Sequence, residues 1–243
     1  MKKEIFEDNL SINLNILKCC NIFNVERLLS CLSTCIFPDE IDYPISEKDI
    51  HKGPPHNSNY AYAYSKRMLH IHTKFYREQF NKKYSCIIPT NIYGPNDNFN
   101  LQDSHVIPGL INKCYIAEKN NTSLIVSGSG KPRRQFLFSK DLAELIMFII
   151  LETDNNDDYI ISPSEGEEVS IKLLSNIISN NFNHKIIYDL SKSEGRFKKT
   201  CSNNKIQELY KNKYGKYYNF IKLKDGLKIT IDWFKNNLDI IRI

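Results

Sequence analysis

Apolar positions along the chain recur at two spacings. Leu10, Leu14 and Leu17 fall at helical spacing, which predicts an amphipathic helix over roughly residues 8–22. Residues 25–37 form a short apolar run closed by Pro38 and read as a buried strand. Residues 39–59 carry Pro44, Gly53, Pro54, Pro55 and several Asn and Ser, and read as a loop. Residues 60–81 hold neither Gly nor Pro and read as a helix, and residues 84–88, stopped by Pro89, as a second strand. A loop over 93–104 and a helix over 106–119 follow. Residues 124–126 and 135–138 read as short strands around a Gly-Ser-Gly turn. Ser139 and Ser170 are placed to cap helices running to Leu151 and to about Ile178. Residues 186–188 are a strand candidate, and a last helix spans roughly 227–237. The helix–strand–loop–helix–strand order predicts an α/β architecture with a parallel sheet.

The 243 residues are 41% hydrophobic, 25% charged and 12% aromatic, a globular balance that excludes a disordered chain or a small disulfide scaffold. The longest apolar run, residues 145–151, is far short of the roughly 20 residues that span a bilayer, so no membrane partner is expected. The start has two lysines and then acids, with no apolar stretch of a signal peptide. A net charge of +5, spread among acids and asparagines, lacks the dense basic patch of a nucleic-acid protein. Seven cysteines, an odd number with no CxxC pair, read as reduced thiols of a cytoplasmic protein. Cys31 and Cys35, read as four strand steps apart, stand about 13 Å from each other, too far for a disulfide. No Cys/His spacing suits zinc, so no metal is expected.

One absence matters. A dinucleotide-binding unit opens with a strand, a Gly-rich turn and a helix, because glycines let the backbone approach the pyrophosphate. Here the first glycine is Gly53, and Gly128-Ser129-Gly130 lacks the third glycine of the motif.

Candidate chemistry sits on a few residues. Tyr62 and Lys66 share one face of a predicted helix, where an ammonium lowers a phenol's pKa and makes it a usable acid or base. YxxxK also occurs at Tyr115/Lys119, Tyr188/Lys192 and Tyr218/Lys222, so the spacing alone is weak. Ser33 and Cys35, two apart, face the same side if the segment is extended. The hydroxyl could bind a carbonyl and the thiol could serve as a base, while a small buried hydrophobe is the plainer reading of Cys35. Residues 88–99 are a strand end followed by polar turn residues, where open α/β sheets place ligands. His105 opens the next helix, and Arg133 and Arg134 could grip a phosphate or form an exposed basic turn.

The segments 30–38, 53–60, 62–68, 88–99, 105–111 and 128–136 together resemble the GDP-L-fucose synthase family of extended short-chain dehydrogenases/reductases. The likeness runs in order from about residue 9 to about 235, and PTNxYGPxDNF and PRRQF are far more specific than YxxxK. The resemblance implies an NADP(H)-binding Rossmann domain and a smaller α/β domain for a GDP-sugar substrate. The first would take residues 1–95 with 135–152 returning to it, and the second mainly 96–243. The resemblance implies Ser33, Tyr62 and Lys66 as a reductase triad, and Cys35 and His105 as base and acid for epimerisation at C3 and C5. It implies Lys66, Pro89, Thr90, Asn91, Ile92 and His105 along the cofactor. Lys113, Ser127, Arg134 and Glu194 fall at substrate positions. Two of these depart from the family pattern: Ser127 stands where a tryptophan is typical, and Glu194 where an aspartate is. The resemblance further implies a homodimer built on residues 8–22 and 60–81, and a preceding segment with the Gly-rich loop and first strands. A chain lacking that segment would be a piece of such an enzyme or a paralogue that keeps sugar-nucleotide binding or dimerisation.

Overall fold

The computed structural model describes residues 2–153, 157–182, 184–192 and 196–242. In chain order the longer elements begin with α1 (Lys2–Ile22), β1 (Arg27–Cys31), α2 (Tyr60–Phe80) and β2 (Lys83–Pro89). Then come β3 (Asn91–Tyr93), α3 (Val106–Lys119), β4 (Leu124–Ser127), β5 (Arg133–Arg134), β6 (Phe136–Phe138) and α4 (Ser139–Glu152). The chain closes with β7 (Asp158–Ile161), β8 (Val169–Ser170), α5 (Ile171–Ser179), β9 (Ile186–Asp189), α6 (Asn204–Tyr214) and α7 (Leu223–Asn236). Among the described residues no helix is long and apolar enough to cross a membrane.

The chain divides into two compact units. The first holds Met1–Thr90, Leu142–Glu165 and Cys201–Tyr218, and the second holds Asn91–Asp141, Gly166–Thr200 and Asn219–Ile243. The resemblance implies one return to the first unit, over 135–152; the structure divides with two, at 142–165 and 201–218. The difference comes from two elements with weak patterns. β7 is four residues long and follows an Asn/Asp run, and α6 is polar with only Ile206 buried.

The first unit is built on a parallel sheet in the order β1-β2-β7, which meets the α/β expectation. β2 lies in the middle and is buried from Tyr84 to Pro89, as a central parallel strand must be. α1 and α2 pack on one another, and Leu17 and Leu69 join Ile36, Phe37, Tyr84, Ile88 and Ile160 in one apolar core. α2 ends at Asn81, whose left-handed backbone (φ 49°) stops the helix. The second unit pairs β3 with β6 and β4 with β9 in parallel, and β5 with β8 antiparallel. Its core gathers Tyr93, Phe99, Ile111, Phe138, Leu174, Ile178 and Phe234. Ser170 caps α5 as its position predicts: its Oγ accepts from the Leu173 amide at 3.1 Å.

One correction bears directly on chemistry. The extended segment read over 25–37 ends at Cys31, and Thr34–Ile36 form a 3-10 turn. Ser33 caps that turn, its Oγ accepting from the Cys35 amide at 3.4 Å. Ser33 and Cys35 are thus brought together by a turn and not by strand alternation. Leu32, Thr34 and Ile36 are buried while Ser33 and Cys35 between them are half-buried, an alternation of two that a strand also shows, so the pattern does not separate a strand from this tight turn.

Candidate active site

In the first unit, β1 and β2 run parallel with Cys31 opposite Ile87, so the chain leaves both strands at the same edge of the sheet. Beyond β1 that edge carries Ser33 and Cys35; at the end of β2 it carries Pro89 and Thr90. Ligands of open parallel sheets bind outside these carboxyl ends. α2 brings Tyr62 and Lys66 to the same residues. The Lys66 ammonium donates to the Cys31 carbonyl at 3.0 Å and lies 5.7 Å from the centre of the Tyr62 ring. The Tyr62 phenol is pushed up to about 12, first by burial and then by the Cys35 and Cys31 thiols. That direction is opposite to the lowering expected from Lys66, because the ammonium faces the ring and is engaged by a backbone carbonyl. The phenol is therefore fully protonated near neutral pH and able to give a proton. Burial also raises the Cys31 thiol, opposed by Lys66. None of the seven cysteines forms a disulfide among the described residues.

Thr90 is 5% exposed, and its Oγ1 has no hydrogen-bond partner among the described residues. Buried hydroxyls are almost always paired. An orphan at the carboxyl edge of the sheet fits a polar ligand running along that edge, which is what a nicotinamide cofactor would require there.

In the second unit, a cavity of about 200 Å³ is lined by His105, Lys113 and Ser127 together with Ser104, Gly109 and Ile171. His105 stands exposed at the N-terminus of α3, Lys113 lies two turns along the same helix, and Ser127 closes β4. Three of the residues singled out in the sequence thus line one hollow. Arg134 lies on β5, and its Nη1 donates to the Arg133 carbonyl at 2.6 Å. Arg133 is tied to Glu168, a residue only 7% exposed, at 3.1 Å. Asn91 and Ile92 open the second unit on β3, where Asn91 Nδ2 donates to the Gln135 carbonyl at 2.8 Å. Glu194 lies outside the described residues.

Two residues of this neighbourhood escaped the sequence reading. Cys31 sits beside Tyr62 and Lys66, but in sequence it is one thiol in an apolar strand. Arg67 is buried on α2, and its signal was its spacing: it falls four residues after Ala63 and three before His70, both buried.

A parallel sheet with helices packed on it and polar side chains gathered at its carboxyl edge has the form of a Rossmann-type α/β unit. Residues 2–162 match the family model of the NAD dependent epimerase/dehydratase family. The chain is 44% identical over 243 residues to the GDP-L-fucose synthase of Dictyostelium discoideum, covering 99% of this chain and 74% of that protein. It is 31% identical to the GDP-L-fucose synthase of Escherichia coli (strain K12), over 96% of this chain and 74% of the relative. A crystal structure of a GDP-L-fucose synthetase from Naegleria fowleri, bound to NADP, matches with a TM-score of 0.93 at 41% identity. That match covers 100% of this chain and 73% of the other. The chain belongs to the NAD dependent epimerase/dehydratase family and, within it, to the GDP-L-fucose synthases.

Proposed function

We propose that this protein catalyses the NADPH-dependent epimerisation at C3 and C5 and reduction at C4 that convert GDP-4-keto-6-deoxy-D-mannose to GDP-L-fucose. The observation that carries the reading is the gathering of Ser33, Cys35, Tyr62 and Lys66 at one edge of the first sheet, in a chain of this family.

The C4 ketone acidifies the hydrogens on both neighbouring carbons. Cys35, as thiolate, takes the proton from C3, and the electron pair moves onto the ketone oxygen as an enolate. His105 gives a proton to the opposite face of the same carbon, and the ketone re-forms inverted. Cys35 then releases its proton to water and His105 regains one, and the same two transfers invert C5. Ser33 donates a hydrogen bond to the C4 oxygen throughout. NADPH, when bound, supplies the hydride for C4. Tyr62 gives its proton to the C4 oxygen, and its raised phenol suits that role because it holds the proton until negative charge develops there. Lys66 holds its ammonium beside the Tyr62 ring and would bind the cofactor ribose. Pro89, Thr90, Asn91, Ile92 and His105 would line the cofactor. Lys113 and Arg134 would take the diphosphate of the GDP-sugar, since cations pair with phosphate oxygens. Ser127 would stand against the substrate with a hydroxyl and no ring to stack.

The assay is incubation of the protein with GDP-4-keto-6-deoxy-D-mannose and NADPH. Loss of NADPH absorbance with GDP-L-fucose as product is expected; recovered substrate and intact NADPH would count against the reading.

The orphaned Thr90 hydroxyl gives a separate expectation. Replacing Thr90 with Val removes an unpaired buried polar group and should stabilise the ligand-free protein by about 1 kcal/mol. The same change should raise the KM for NADPH about tenfold, because a hydrogen bond made only in the complex is lost. Thermal melting and steady-state kinetics read the two effects, and a drop in melting temperature would contradict the account.

A homodimer is part of the proposal. Ile12 and Ile16 on α1 and Tyr60, Tyr64 and Met68 on α2 are exposed, and a hollow of about 600 Å³ opens beside Phe6, Tyr60 and Met68. Exposed apolar side chains beside a hollow of this kind are a common seat for a second copy. Sedimentation equilibrium should read two chains per particle; a single chain at micromolar concentration would reject it.

A further inference from the structure

Arg67 follows Lys66 on α2 yet is only 5% exposed. A guanidinium is tolerated in an interior only when its donors are taken up. Here Nε donates to the Ile36 carbonyl at 2.7 Å, and Nη2 donates to the Gly53 carbonyl at 2.8 Å. Ile36 is the last residue of the 3-10 turn that holds Cys35, and Gly53 belongs to the loop that leads into α2. The guanidinium also lies 5.6 Å from the centre of the Tyr64 ring. No proton-transfer role assigned above uses this residue.

We propose that Arg67 is the positioning residue for the Cys35 base: it clamps the thiol-bearing turn to the helix that carries Tyr62 and Lys66, and it supplies the fixed positive charge beside which the thiolate forms. This rests on Cys35 being the base of the proposed reaction. The clamp matters because a three-residue 3-10 turn has little stiffness of its own. Its backbone bonds, Ile36 amide to Ser33 carbonyl at 3.1 Å and Phe37 amide to Thr34 carbonyl at 3.4 Å, close the turn on itself but do not tie it to α2. The bond from Arg67 to Ile36 does, one residue from the thiol. The charge matters because a nearby cation favours a thiolate over a thiol. Burial pulls the Arg67 guanidinium down, and Tyr64 and then Cys35 oppose that, so the sulfur and the guanidinium favour one another's charged forms. Tyr62 and Arg67 on α2 both act on Cys35, Ser33 Oγ accepts from its amide within the turn, and the Lys66 ammonium stands nearby against the Tyr62 ring and the Cys31 carbonyl.

The first arm of the test reads Cys35 directly and needs neither cofactor nor substrate; the second follows the keto-sugar. The rate of iodoacetamide alkylation at Cys35 is followed against pH by peptide mass mapping, so that the other thiols are counted separately. Arg67→Met should move the half-rate pH upward by about one pH unit, so that alkylation below it slows about tenfold. Arg67→Lys keeps the charge but cannot span both carbonyls. It should keep the half-rate pH while the turnover of deuterium uptake at C3 and C5 of the keto-sugar falls about tenfold at unchanged KM. A Met variant that is folded by circular dichroism and alkylates at Cys35 as the parent does would overturn the proposal. Should the Met variant fail to fold, the Lys variant decides: parental deuterium uptake in it would overturn the clamp. Failure of the reaction assignment looks different, because the parent chain would then take up no deuterium while the Cys35 half-rate pH still moved with Arg67.

Discussion

Tyr62→Phe is expected to lower NADPH oxidation by about 10²- to 10⁴-fold, the usual worth of a positioned general acid. The phenol is pushed up to about 12 by burial and the neighbouring thiols, so it is held as the protonated acid across the working pH range. The loss should fall on kcat, because the proton moves only as charge develops on the C4 oxygen and the ring that fills the space remains. The KM for the GDP-sugar should change little. Stopped-flow absorbance of NADPH at saturating substrate measures this. An equal loss in KM with kcat kept would mean that Tyr62 holds the substrate and does not protonate it.

The second large effect concerns stability. Asp158 opens β7 and is 9% exposed. It accepts from His70 Nε2 at 2.9 Å and from Arg77 Nη1 at 3.1 Å, both on α2. His70 Nδ1 in turn meets His51 Nε2 at 3.0 Å. The network ties α2 to the sheet at one end and to the 46–53 loop at the other. Burial alone would raise the Asp158 carboxyl; the bonds from His70 and Arg77 outweigh it and hold it well below the usual carboxylate range. Asp158→Asn leaves the Arg77 guanidinium buried without its counter-charge and should cost about 3–5 kcal/mol, read as a lowered urea midpoint.

The sign of the pH dependence follows from the same groups. A depressed carboxyl contributes stability above its unfolded value of about 3.9 and loses it as pH falls below that. Asp158→Asn should therefore abolish that acid limb. His51 is held low by burial and then by His70, Arg67 and Lys74, and His72 by burial. The unfolded chain protonates these imidazoles first, so stability should also decline as pH drops through about 6.5. Melting temperatures that rise from pH 7 to pH 5 would contradict this.

Much of the fold was legible because periods and caps are local. α2, β2 and α3 could be read to within a residue or so, since Asn81, Pro89 and the His105–Val106 junction end or begin them by chemistry visible in the sequence. β7 and α6 were not legible. Asp158 to Ile161 is buried on both faces and too short for a period, and α6 buries little, so tertiary packing alone selects them. The same limit applies at the site. Ser33 and Cys35 were readable as a pair, but the turn that joins them depends on Arg67 reaching Ile36 from another element. The raised Tyr62 phenol depended on two thiols and on burial, none of which a YxxxK spacing encodes.

The central claim is that a thiol and an imidazole invert two carbons in a step separable from the Tyr62 proton transfer. Its most direct test is mass spectrometry of the keto-sugar recovered from deuterated water without NADPH. Tyr62→Phe should still take up deuterium at both C3 and C5, whereas Cys35→Ser should take up none within the same time. Deuterium uptake by Cys35→Ser at the parent rate would contradict the account.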